Sequence, residues 1–149
     1  MRQRTLVLGL VAASVLGSWA AMASEPSAAV DCAHPVGEWE NEFGSVLEIQ
    51  AVDSSTGSLT GRYMLAAAPG QWFPAHGWVN SGTGSKHTVP KVISFAVHWG
   101  SAGSITSWIG SCDDKSGKPR ISTILHIARP SSPNPWDHIA AGAETFSPK

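Results

Sequence analysis

Six polar side chains recur at alternate positions of short, largely apolar runs: Asn41, Ser45, Tyr63, Ser104, Thr106 and Glu144. In an extended chain successive side chains point to opposite faces, so each of these shares a face with its apolar neighbours two residues away. Buried polar groups are stable only when hydrogen-bonded, and six on one inner surface imply bound water or a polar ligand. Trp99 and Trp108 fall on the same faces. An apolar wall with a few convergent polar groups is what a small-molecule site requires. A purely structural hydrogen-bond cluster of Asn41, Ser45 and Tyr63 is the alternative. Catalysis has less support: Glu144 is the one carboxylate expected inside, and no Cys or Ser stands beside an inward His. The six histidines, His34, His76, His87, His98, His126 and His138, are spread over loops and outer faces without paired ligand spacing, so no metal site is expected.

The elements that must position these residues are strands. Period-two runs cover roughly Glu38–Phe43, Val46–Val52, Ser58–Ala66, Trp72–Asn80, Lys91–Trp99, Ile105–Cys112, Pro119–Ala128 and His138–Phe146. Turn-forming clusters separate them, such as Asp53–Gly57, Ser81–Gly84, Gly100–Gly103 and Asp113–Gly117. Eight strands joined in sequence by short loops predict an all-β domain, a single eight-stranded antiparallel up-and-down barrel able to hold one small ligand. A β-sandwich is the alternative on pattern alone. Alternation groups Trp39, Asn41, Phe43 and Ser45 on one face, and Ile121, Thr123, Leu125 and Ile127 on another. Trp39, Phe43, Phe95 and Phe146 are expected in the core, as are Trp72 and Trp78.

Residues 1–23 read as a signal peptide: Arg2 and Arg4 precede an apolar run from Leu6 to Ala20, and Ala21-Met22-Ala23 supplies a small-x-small cleavage site. Residues 24–36 read as an exposed lead-in and 37–147 as the barrel. The implied location is secreted or periplasmic, with no membrane association after the signal is removed. An oxidising compartment makes a Cys32–Cys112 disulfide the default, with two free buried thiols as the alternative. Net charge is −1 with Lys and Arg scattered, which argues against a nucleic-acid partner.

The stretch Gly37-Glu38-Trp39-Glu40-Asn41-Glu42-Phe43-Gly44-Ser45 resembles the G-x-W-x-N-x-x-G-S opening of the avidin and streptavidin family. Leu59–Tyr63 is similar to that family's third strand, Phe95–Trp99 to its fifth and Ser104–Gly110 to its sixth, while Trp136 precedes Phe146 by the family's spacing. The placing of Cys32 and Cys112 resembles the disulfide of avidin, which streptavidin lacks. The resemblance spans about Cys32 to Phe146. It implies a non-enzymatic protein that binds biotin without a cofactor. Asn41, Ser45 and Tyr63 would surround the ureido carbonyl oxygen, where converging donors stabilise the charge drawn to it. Glu144 would accept from a ureido N–H. Thr106 would lie near the ring sulfur, Trp99 and Trp108 would wall the fused rings, and Ser104 would reach toward the valeryl carboxylate. Trp136 would cap the pocket of a neighbouring subunit.

The chain departs from the family pattern at several points. Glu144 stands where avidin has Asn and streptavidin Asp, one methylene longer. Leu125 replaces a tryptophan on the seventh strand. Leu65 occupies a polar position, Pro69 lacks a backbone N–H, and the Gly100–Gly103 loop is shorter. Biotin binding weaker than that of avidin and streptavidin is therefore expected. Ile124 and His126 alternate with the inward set and face outward, as in a subunit interface, so a homo-oligomer is expected, a tetramer rather than a dimer. The alternatives are a barrel of this fold that holds another small cyclic ligand or none, and a secreted hydrolase.

Overall fold

The computed structural model describes residues 29–80, 91–114 and 117–149. The expected signal peptide, the first part of the lead-in and the Ser81–Gly84 turn lie outside the described residues. Eight strands follow one another along the chain: β1 (Gly37–Asn41), β2 (Val46–Val52), β3 (Ser58–Met64), β4 (Trp72–Val79), β5 (Lys91–His98), β6 (Ile105–Asp113), β7 (Arg120–Ala128) and β8 (Ile139–Pro148). Each pairs antiparallel with the next, and β1 closes on β8 through Asn41 opposite Phe146, giving a closed barrel. Closure removes the unpaired edges of an open sheet. Among the described residues the only helix is a single turn at Gly100–Ala102.

The two ends of the barrel differ in what fills them. At one end Trp39, Ile49, Leu59, Ile93, Ile121 and Phe146 are essentially inaccessible and form the packed core. The Cys32–Cys112 disulfide is present and lies at this end. The lead-in is accordingly not simply exposed from Val30 onward. Cys32 is buried, Val30 packs on the core, and the Pro35 carbonyl accepts from the Trp39 indole N–H at 2.8 Å. Burying that indole without an acceptor would be unfavourable, so this contact fixes where the segment docks.

Three core expectations are corrected. Phe43 is 67% exposed, because β1 ends at Asn41 and residues 42–44 form a turn that breaks the alternation. Trp78 is 63% exposed, and Trp72 is only partly buried beneath the Arg62 guanidinium at 4.2 Å. In β4 it is Ala75, Gly77 and Val79 that face inward, while His76 and Pro74 share the outward face with both tryptophans. Both faces of β4 carry large apolar groups, so apolarity did not reveal which was inside. His76, on Trp78's parity, was the signal that could have.

Candidate functional site

The site is built at the end of the barrel opposite the disulfide, starting from the β1–β2 turn. Asn41 uses its side-chain oxygen to hold that turn, accepting from the backbone N–H of Phe43 at 3.1 Å and of Ser45 at 2.8 Å. Gly44 provides the positive φ of +82° that the turn needs. With Oδ1 committed to backbone, the Asn41 amide has one orientation, and Nδ2 points into the barrel. There it donates to Glu144 Oε2 at 3.0 Å and lies 3.3 Å from the Tyr63 hydroxyl. The Asn-x-x-Gly-Ser segment thus makes the turn and aims the donor in one structure.

Glu144, on β8, is the meeting point. Its Oε2 accepts from Asn41 on β1, from the Tyr63 hydroxyl on β3 at 3.4 Å, and from the Trp108 indole N–H on β6 at 3.0 Å. Its backbone carbonyl accepts from Thr123 on β7 at 3.0 Å, which seats the strand beneath the carboxylate. Burial pushes the Tyr63 phenol above its ordinary value, and the adjacent Glu144 carboxylate adds to the rise. Tyr63 therefore remains a neutral hydroxyl, able to donate. The Ser45 hydroxyl accepts from the Ala66 N–H at 3.2 Å, tying the loop after β3 to the site and leaving its own hydrogen free to donate. Among the described residues no buried side-chain polar atom lacks a partner.

Aromatic rings form the wall on β3 to β6. Tyr63 stacks on Trp108 with centroids 5.0 Å apart, and Phe95 lies on Trp108 at 4.7 Å, nearly parallel. Trp99, just past β5, meets Tyr63 edge-on at 5.8 Å, and its indole N–H donates to the Thr106 hydroxyl at 2.8 Å. The opposite wall is low. Leu125 pairs in register with Gly142, an inward position without a side chain, and Leu125 is only partly buried.

Of the residues singled out from sequence, Asn41, Ser45, Tyr63, Thr106 and Trp108 are buried together, with Glu144, Trp99, Ser104 and Leu125 partly buried. Trp136 is 80% exposed in the β7–β8 loop. Two contributors were missed. Phe73 packs edge-on against Trp99 at 5.1 Å, hidden by the mistaken parity of β4. Thr123 was on the inward face, but only the register opposite Glu144 shows its role.

The family model described as Avidin family matches residues 29–149. The chain belongs to the avidin family. It is 36% identical to avidin of Gallus gallus over 118 residues, which covers 74% of this chain and 75% of avidin. The crystal structure of Xenavidin superposes with a TM-score of 0.62 at 28% identity, covering 77% of this chain and 97% of that one. The structure of a biotin binding protein from chicken gives 0.65 at 27% identity, over 76% and 96%. As a member of this family the chain is an avidin-like barrel, and the expected fold, eight antiparallel strands in one closed barrel, is the one observed.

Proposed function

We propose that the protein is an exported binding protein that takes up biotin non-covalently at the polar end of the barrel. The observation that carries this reading is the convergence of neutral donors, Asn41 Nδ2 and the Tyr63 hydroxyl, with one carboxylate, Glu144, against an aromatic wall. A cyclic urea presents the complement, a carbonyl oxygen that accepts and N–H groups that donate. Asn41, Ser45 and Tyr63 bind the carbonyl oxygen, and Glu144 accepts from an N–H. Thr106 faces the sulfur, Trp99 and Trp108 wall the rings, and Ser104 faces the carboxylate tail. Leu125 supplies the remaining wall. Trp136, so exposed in the single chain, covers the pocket of a neighbouring copy in a homo-oligomer, a tetramer in preference to a dimer.

Binding is weaker than in avidin and streptavidin. Asn41 and Tyr63 already donate to Glu144 Oε2, so the ligand oxygen must compete for them. Each net hydrogen bond is worth about 1 kcal/mol, and tenfold in affinity is about 1.4 kcal/mol. Membership of the avidin family supports a binding role over an enzymatic one, without cofactor. Calorimetric titration with biotin tests the proposal. Saturable one-to-one binding that Tyr63→Phe weakens is the expected result. Absence of heat even at millimolar biotin sinks it and leaves the pocket to another small cyclic ligand.

A further inference from the structure

Glu144 brings a carboxylate into the barrel interior with no cation to answer it. Among the described residues the ion pairs are His34 with Asp31, Arg62 with Glu48, Arg129 with Asp137, and Lys149 with Glu38 and Glu40, and Glu144 is in none of them. The two oxygens of the carboxylate differ. Oε2 accepts from Asn41, Tyr63 and Trp108, all neutral donors. Oε1 accepts from no described residue, and since no buried side-chain polar atom among them lacks a partner, Oε1 is accessible rather than sealed in. The loops at this end of the barrel add no compensating charge. Residues 65–71 and 99–104 contain no Lys or Arg, and Arg129 in the β7–β8 loop has its own partner, Asp137, at 3.6 Å. Glu42, in the β1–β2 turn, adds a second negative charge here, and the fields of Glu144 and Glu42 both add to the rise that burial gives the Tyr63 phenol.

We propose that Glu144 makes the site select its ligand by ring charge, so that a cyclic guanidinium binds in preference to the cyclic urea of the same skeleton. This rests on the reading above that the pocket takes the fused rings of biotin, and it adds which electronic form of the ring the pocket prefers. A urea brings an oxygen acceptor to Asn41 and Tyr63, the donors that Oε2 already holds, so oxygen meets oxygen unless the carboxylate gives way. A guanidinium has an N–H donor in place of that oxygen and carries a full positive charge. It leaves the three donors on Oε2 undisturbed and gives its own N–H groups to the open Oε1, as an ion pair.

The opposing effect is desolvation, since a cation loses more hydration than a neutral urea on entering the barrel. Three features outweigh it. Glu144 is partly buried before any ligand arrives, so much of the carboxylate's own loss of hydration occurs on folding. Guanidinium is weakly hydrated for a cation. The wall of the pocket is aromatic, with Trp99 and Phe73 edge-on at 5.1 Å and both only partly buried, and aromatic rings attract cations. A hydrogen bond between charged partners is roughly twice as strong as one from a neutral donor, which sets the preference at about tenfold or more. An amide at position 144 keeps the length of the side chain and removes the charge, and with it the preference.

Calorimetry near neutral pH with biotin and with 2-iminobiotin tests this on the disulfide-bonded, signal-free chain. The two ligands share the fused rings, the sulfur and the carboxylate tail, and the second is a cyclic guanidine, charged at this pH. The expected result is a dissociation constant for 2-iminobiotin at least about tenfold below that for biotin. Repeating the titration in buffers of different ionisation heat counts protons: a ligand bound as the cation releases none, whereas one bound as the neutral base releases one per site. Glu144→Gln, with near-UV circular dichroism to confirm its fold, should reverse the ranking. A smaller ratio in the wild type, or tighter binding of biotin, overturns the proposal, and so does release of a proton. Those two readouts need no variant, and they decide the matter even where Glu144→Gln does not fold. A preference unchanged in a folded Glu144→Gln overturns the role of the carboxylate. Heat from 2-iminobiotin alone overturns the biotin reading and supports selection by charge, whereas heat from neither ligand overturns both.

Discussion

Glu144 gathers three donors on one oxygen, and that single atom governs how the site behaves. A residue one methylene shorter withdraws the carboxylate from Asn41 and Tyr63, freeing both to bind a ligand oxygen while an acceptor remains for an N–H. Glu144→Asp is therefore expected to slow biotin release by about tenfold, the equivalent of about one hydrogen bond. Leu125 leaves space where an aromatic face could pack, and the atoms nearest to a Cβ placed at Gly142 opposite it are those of the Leu125 side chain, at 3.6–3.8 Å. Leu125→Trp should slow release further by restoring buried area. The two residues share one pocket, so their effects need not add. Stopped-flow dissociation is the sensitive measurement, because related complexes differ mainly in off-rate. Faster release in both variants would show that these residues do not surround the ring.

At the scale of elements, the barrel depends on close backbone approach and on a covalent tie. A Cβ at Gly77 on β4 would lie 1.9 Å from the Ser94 carbonyl oxygen and 2.6 Å from the Phe95 Cα of β5. Those are backbone atoms of the neighbouring strand and cannot swing aside. Gly77→Ala should destabilise the barrel by about 3 kcal/mol or more, read as a lower denaturant midpoint. The disulfide joins the segment before β1 to β6 across a sequence separation of 80 residues. Replacing both cysteines by serine should lower stability by about 2–4 kcal/mol, chiefly through the freedom regained by the unfolded chain. Because the bridge is at the packed end, the same variant should keep its biotin affinity at temperatures where it remains folded.

For the whole molecule, the exposed Trp136 separates a complete site from an incomplete one. In a single chain it is 80% exposed, so its removal should leave barrel stability within about 0.5 kcal/mol. In an oligomer where it covers a neighbour's ligand, Trp136→Ala should raise the biotin dissociation constant by about tenfold or more. Light scattering at micromolar concentration should give a tetrameric mass for the wild type. A monomeric mass with Trp136→Ala binding biotin normally would remove both points.

Much of this was legible in the residues. Period-two alternation located all eight strands, with ends off by at most a few residues, because each strand keeps one face toward the interior. Asn41, Ser45, Tyr63, Thr106, Trp108 and Glu144 were recognisable as polar or aromatic positions on inward faces, and the cysteine pair as a disulfide. Alternation, however, relates residues within one strand and says nothing of which face is inside when both are apolar. That is why alternation alone puts Trp78 in the core and gives no sign of Phe73, and only closure of the barrel decides between the two faces. The turn at residues 42–44 likewise ended a periodicity that, continued, put Phe43 inside. The arrangement around Glu144 was beyond any local reading. Its donors come from β1, β3 and β6, and their convergence on one oxygen of β8 depends on the register of a closed barrel, a property of the whole chain rather than of any segment.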